Sequence, residues 1–141
     1  MAVQTFSLKK DGETKLTDNF KIKEFRCKDG SDEICTDVDF VKKKLQKIRE
    51  WAGAPIIINS AYRTEAYNKK VGGAKASYHV KGQAYDIVVK GKTLDEVCRY
   101  AESIGVLGII QYPNKGFVHI DSRTTKYYSK DSAKSSCTTF Q

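Results

Sequence analysis

Ser77-Tyr78-His79-Val80-Lys81-Gly82-Gln83-Ala84-Tyr85-Asp86 holds one of the chain's two histidines, and Phe117-Val118-His119-Ile120-Asp121 holds the other. The whole imidazole supply thus falls in two short segments that also carry carboxylates. Two imidazoles and one carboxylate form a borderline-soft, three-ligand set that suits zinc and leaves a fourth position open for water or substrate. An open position is what a catalytic metal requires. Gly82, between His79 and Asp86, permits a tight turn and lets the chain approach an ion with no side chain in the way.

The flanking residues set these segments in a sheet. Ala84–Val89 reads as a strand, and residues 107–112 and 116–121 read as two more, joined by the hairpin-length Pro113-Asn114-Lys115. Because strand side chains alternate, Phe117, His119 and Asp121 share one face, as do Ala84, Asp86 and Val88. One sheet surface can therefore gather Asp86, His119 and Asp121. Upstream, residues 55–60 form a short β-branched run bounded by turn residues, with Arg63 just beyond its end. Residues 64–77, containing Gly72-Gly73, read as a short helix or loop leading to His79. Two helices complete the pattern. Thr36 or Asp37 caps one whose apolar face is Phe40, Val41, Leu45, Ile48 and Trp51, with Gly53 as its stop and Lys42, Lys43, Lys44 and Lys47 toward solvent. Residues 93–103 form the other, on which Leu94, Val97, Cys98, Ala101 and Ile104 make a stripe. The order predicts an α+β domain with a small, mainly antiparallel sheet and helices packed on one side.

The ends are less patterned. Residues 1–20 are polar, with Asp11-Gly12 as a turn between short strand-like runs, and Phe20, Ile22 and Phe25 form an anchoring segment. Residues 127–141, rich in Ser, Thr and Lys, predict a loosely ordered end. At 141 residues and 40% apolar content the chain predicts one domain, with no run long enough to cross a membrane. No secretory signal is visible, which predicts a cytoplasmic protein. Lys and Arg exceed Asp and Glu by 25 − 17 = 8, giving a field that attracts anionic polymers. The basic residues are dispersed and carry no nucleic-acid fingerprint, so anionic cell wall is favoured over nucleic acid as a partner. Cys27, Cys35, Cys98 and Cys137 show no paired Cys-x-x-Cys spacing, which argues against a structural zinc ribbon. Cys27 and Cys35 flank a polar loop and could pair in an oxidising compartment; the missing signal favours reduced thiols.

The full pattern Ser-x-His-x-x-Gly-x-Ala-x-Asp, from Ser77 to Asp86, followed by His119 in an apolar strand, resembles the M15 family. That family comprises zinc D-Ala-D-Ala metallopeptidases and their peptidoglycan-cleaving phage relatives, and it shares a fold with the hedgehog signalling domain. The resemblance covers roughly residues 20–127, from Phe20-Lys21-Ile22-Lys23-Glu24-Phe25 through Ser60-Ala61-Tyr62-Arg63-Thr64 to His119-Ile120-Asp121. It implies an N-terminal extension at 1–19, the zinc peptidase domain at 20–127 and a C-terminal tail at 128–141.

By that resemblance His79, Asp86 and His119 are the zinc ligands, and Arg63 holds the substrate's terminal carboxylate or a nearby peptide group. A guanidinium fork suits this because it bonds both carboxylate oxygens at once. A surface ion pair is the plainer alternative for Arg63. Ser77 either bonds substrate or shapes its loop. Many relatives carry Glu or Asp three residues before the last histidine ligand, whereas this chain has Gly116 there. Asp121 is the nearest substitute, as the group that accepts a proton from water or as one that orients a ligand. Tyr78, Tyr112 or Lys81 could stabilise the oxyanion. The resemblance implies zinc-dependent hydrolysis of peptidoglycan stem peptides by a monomer, as carboxypeptidase, endopeptidase or phage endolysin, held in the cytoplasm until released onto the wall. The alternative is a non-catalytic zinc-containing wall-binding or interaction module.

Overall fold

The computed structural model describes residues 2–130 and 136–141. The chain opens with β1 (Val3–Ser7), a helical turn Leu8–Asp11, β2 (Lys15–Thr17), β3 (Phe20–Lys21), a 3-10 turn Ile22–Phe25 and β4 (Glu33–Asp37). β1 pairs antiparallel with β4, and β2 with β3. Asp11-Gly12 closes a helical turn capped by the Ser7 hydroxyl instead of joining two strands. β4 is a strand that the polar loop before it concealed. Its alternation is nonetheless clear, since Ile34 and Thr36 are buried while Glu33 is exposed. The Thr36 hydroxyl bonds the Tyr85 hydroxyl at 2.8 Å and so ties β4 to the central sheet.

Residues 38–52 form one continuous helical run that passes through a π-wound segment, Val41–Leu45. Asp37 caps it, its Oδ1 accepting from the Phe40 amide at 3.1 Å, and Gly53 ends it as expected. Phe40, Val41, Leu45 and Ile48 are buried, while Lys42, Lys43 and Lys47 face solvent. Lys44 departs from its neighbours, since its Nζ donates to the Ile104 carbonyl just past the second helix, Leu94–Ser103. A cation there complements the carbonyl-rich helix end.

The expected strands follow as β5 (Ile56–Ser60), β6 (Ala84–Val89), β7 (Gly108–Tyr112) and β8 (Phe117–Asp121), then β9 (Tyr127–Ser129) and β10 (Ser136–Cys137). Their order in the sheet is β10-β9-β7-β8-β6-β5, antiparallel throughout except for the parallel β7–β9 pair. The expectation of an α+β fold with a mainly antiparallel sheet is met. Alternation divides the sheet: Tyr85, Ile87, Ile109, Val118 and Ile120 enter the core on the helix side. Trp51 stacks on Tyr100 at 4.5 Å where the two helices meet. Asp86, Ile110, Phe117 and His119 face the opposite side and line a cleft.

The C-terminal segment is tied down where it is described. Phe140 is buried against Tyr128 at 5.3 Å, and its amide donates to Glu102, so the loosely ordered end expected there is not found. Aromatic burial supplies what the polar composition concealed. Residues 131–135 of that stretch lie outside the described residues. The termini also bond to the 20–127 region, the Val38 amide donating to the Ala2 carbonyl and the Thr17 hydroxyl to Gln46. All four cysteines carry free thiols, and Cys98 sits fully buried on its helical stripe. No helix is long and apolar enough to cross a membrane among the described residues.

Candidate metal centre

Three elements bring the site together. Asp86 and His119 are direct cross-strand partners on β6 and β8, and His79 arrives from the turn that precedes β6. The His79 Nε2 lies 3.2 Å from Asp86 Oδ2, and the His119 Nδ1 lies 3.0 Å from Asp86 Oδ1. The two rings meet edge to face, and the three ligand atoms all lie within 4.8 Å of one another.

Outer partners fix how each ligand presents itself. The His79 Nδ1 lies 2.7 Å from the Ala61 carbonyl, to which it donates, so Nε2 is the ring nitrogen that faces Asp86. The His119 Nε2 bonds Asp121 Oδ2 at 2.7 Å, leaving Nδ1 for the site. Both arrangements are those that orient metal-binding imidazoles. Zinc bonds of 2.0–2.1 Å in a tetrahedron set ligand atoms about 3.3 Å apart; the two histidine–Asp86 contacts, at 3.2 and 3.0 Å, are near that, and all three candidate ligand atoms lie within 4.8 Å. The residues therefore fit a divalent ion of zinc's preferences.

Charge follows the same geometry. Burial alone would raise the Asp86 pKa, but hydrogen bonds from His119 and His79 outweigh it and hold the carboxyl well below the usual range. For His119 burial disfavours the charged form, yet its bonds to Asp121 and Asp86 prevail and lift it to about 9. Asp121, with burial opposing and His119 and Arg123 prevailing, is lowered to about 2.

Asp121 lies beneath the site, with no exposed surface, and both of its oxygens are engaged. Besides His119 it accepts from Arg123, whose Nε and Nη2 reach Oδ1 and Oδ2 at 2.7 and 2.6 Å, and from the Arg123 amide. Gly108 on β7 makes the room: a Cβ there would stand 1.9 Å from Asp121 Oδ1.

Arg63 reaches the site from beyond β5. Its Nε donates to the Ser60 hydroxyl and Nη1 to Asn68 Oδ1, both at 3.1 Å, and Nη2 stands 3.6 Å from Asp86 Oδ2. This is a held, partly buried guanidinium and not a surface ion pair. The Ser77 hydroxyl accepts from the His79 amide at 3.1 Å, shaping the loop, while Ser77 also lines the cleft. Tyr78 and Tyr112 line the cleft too, whereas Lys81 places its ammonium over the Tyr78 ring. Burial first, then the charge of Asp86, raises the Tyr112 pKa and keeps its phenol a donor.

Gly82 serves a different purpose from the one its position suggested. Its φ is +74° in the turn between His79 and β6, and a Cβ would lie 2.7 Å from the Cys35 carbonyl oxygen. What it accommodates is the backbone of β4, not the metal-facing atoms. Arg123 and Asn68 escaped the sequence reading. Arg123 had a signal, because it sits two positions past Asp121 and so continues the same face; Asn68 had none.

A model of the Peptidase M15 family matches residues 18–121. The chain belongs to the M15 peptidase family. It is similar to the peptidoglycan L,D-endopeptidase MepK of Escherichia coli K12, 35% identical over 79 residues that cover 52% of this chain and 43% of the relative. The probable peptidoglycan L,D-endopeptidase MepK of Haemophilus influenzae is 36% identical over 74 residues, covering 49% of this chain and 40% of that protein. The matched stretch thus spans less than half of either relative's length.

Proposed function

We propose that the chain is a zinc-dependent peptidase that hydrolyses a peptide bond in peptidoglycan stem peptides, acting as an endopeptidase at the bacterial cell wall. The convergence of His79 Nε2, Asp86 and His119 Nδ1 at the floor of an open cleft carries this reading. Family membership and the likeness to L,D-endopeptidases support it and favour endopeptidase over carboxypeptidase. Residues 20–127 are the proposed catalytic unit, with 1–19 an N-terminal extension and 128–141 a C-terminal tail.

His79, Asp86 and His119 would hold the ion, which supplies Lewis acidity and lowers the pKa of water toward roughly 7. Arg63, fixed by Ser60 and Asn68, holds the substrate's carboxylate or a nearby peptide group through its Nη atoms. Tyr112 offers a protonated phenol to the carbonyl oxygen where negative charge develops. Ser77 keeps the His79 loop in shape with its acceptor oxygen and retains its own O–H for substrate. Of the two roles open to Asp121, its engagement by His119 and Arg123 supports orienting His119 over accepting a proton from water.

One observation favours a second reading, that of a non-catalytic zinc-containing wall-binding module: Asp86 is the sole carboxylate among the described residues that line the cleft. Metal analysis combined with digestion of purified peptidoglycan and mass spectrometry of the fragments separates the two. The peptidase reading expects one zinc per chain and cut stem peptides, both lost in His79→Ala. Zinc binding with intact peptides would transfer the site to the binding reading.

A further inference from the structure

Among the described residues that line the cleft, the Lys and Arg side chains are Arg63, Lys115 and Arg123. Arg63 follows β5 and Arg123 follows β8, and these two strands flank β6 on opposite sides. Neighbouring strands lie ~4.8 Å apart, so the β5 and β8 backbones are about 10 Å apart. Ser60 on β5 and His119 on β8 both pair with Asp86, so the two arginines leave the sheet beyond the same level of β6. A peptide crossing the site meets a guanidinium on each side.

Arg123 is held as firmly as Arg63. Its fork onto the buried Asp121 uses Nε and Nη2, and its guanidinium carbon lies over the rings of Tyr78 and Tyr127 at 4.6 and 5.0 Å. Nη1 has no hydrogen-bond partner among the described residues, and the side chain keeps 18% of its surface exposed. A planar cation clamped by two rings and a carboxylate loses little freedom on binding a planar anion.

We propose that Arg123 is a specificity residue that takes a second carboxylate of the substrate, across the site from the group held by Arg63. The ligand class is a peptide with two free carboxylates, one on each side of the site. The inference rests on the proposed peptidase reading of the same cleft. It assigns to Arg123 the discrimination between acidic stem peptides and their amidated forms.

The test compares two cross-linked stem-peptide fragments, identical except that one side-chain carboxylate of the second is a carboxamide, as substrates of the zinc-loaded full chain. A charge-assisted bond predicts a KM about 10–100-fold higher for the amidated fragment, with kcat changed far less. Arg123→Gln removes that difference, so that both fragments are cut with equal kcat/KM, and Arg123→Lys, which keeps the charge without the fork, restores part of it. Zinc content and thermal stability of both variants register any disturbance of Asp121. Equal KM values in the unaltered chain, or full discrimination surviving in Arg123→Gln, would overturn the proposal. If neither fragment is cut, the peptidase reading fails, and calorimetry with the same two fragments decides for Arg123. Preference for the free acid that Arg123→Gln abolishes supports the proposal; equal affinity overturns it.

Discussion

Asp121 accepts hydrogen bonds from the candidate ligand His119 on one side and from a guanidinium on the other, an arrangement that sets the orientation of His119. Groups that orient metal ligands typically contribute ~10–100-fold to metal affinity. Asp121→Ala is therefore expected to weaken zinc binding by about that factor, with activity falling in parallel, as chelator competition and turnover assays measure. Unchanged zinc affinity with lost turnover would restore Asp121 as the proton acceptor. The same contacts set a pH dependence in the metal-free protein. His119, lifted from 6.5 to about 9, contributes stability that is complete below about pH 6.5. That contribution disappears as pH rises through 9. Asp86 and Asp121, both lowered from 3.8, contribute above about pH 4, and their share disappears as pH falls further. Melting temperature of the metal-free chain should accordingly peak between about pH 4 and 6.5, and zinc should broaden the plateau on its alkaline side by taking the place of the His119 proton.

Strand β7 contributes to the centre through a missing side chain. A methyl group at Gly108 would stand 1.9 Å from Asp121 Oδ1, against a carboxylate clamped on both sides. Gly108→Ala is expected to push Asp121 off His119 and Arg123, reducing zinc affinity and stability although no ligand is altered. Metal titration together with urea unfolding checks both. The helix at 38–52 offers the contrasting case. Asp37 accepts from the Phe40 and Ala2 amides on the far side of the sheet from the ligands, so Asp37→Ala should cost about 0.5–2 kcal/mol of stability and leave zinc binding unchanged. Denaturant midpoints and zinc titration distinguish the two substitutions.

Across the whole molecule, the formal charge of +8 is dispersed and includes an exposed lysine face at Lys42, Lys43 and Lys47 and the cations of the cleft. Such a field concentrates an anionic polymer at the protein surface and weakens as salt shortens its range to about 8 Å at 0.15 M. Cosedimentation with purified anionic wall should fall steeply between low salt and 0.5 M sodium chloride. Cleavage of a short soluble fragment should fall less, because its contacts lie within the cleft. A flat salt response for wall binding would remove long-range charge from the account.

Much of this architecture was legible in the chain. Alternation along Phe117–Asp121 and Ala84–Val89 set which residues share the cleft face, and the full pattern from Ser77 to Asp86 carried the resemblance to the family, which implied His79, Asp86 and His119 as the candidate ligands. Local periodicity and turn chemistry suffice for the shared face, since both operate within a few residues. The remaining determinants are contacts between segments remote in sequence. Ala61 sets the tautomer of His79 from 18 positions away, and Gly108 makes room for a carboxylate 13 residues later. β4 was hidden because its partner, β1, lies about 30 positions upstream. The sequence by itself determined the fold class and the three residues that can hold an ion. Only the tertiary structure decided which atom of each faces the site and how Asp121 and Arg123 are engaged, because hydrogen-bond partners across a sheet are selected by strand register and not by neighbours along the chain.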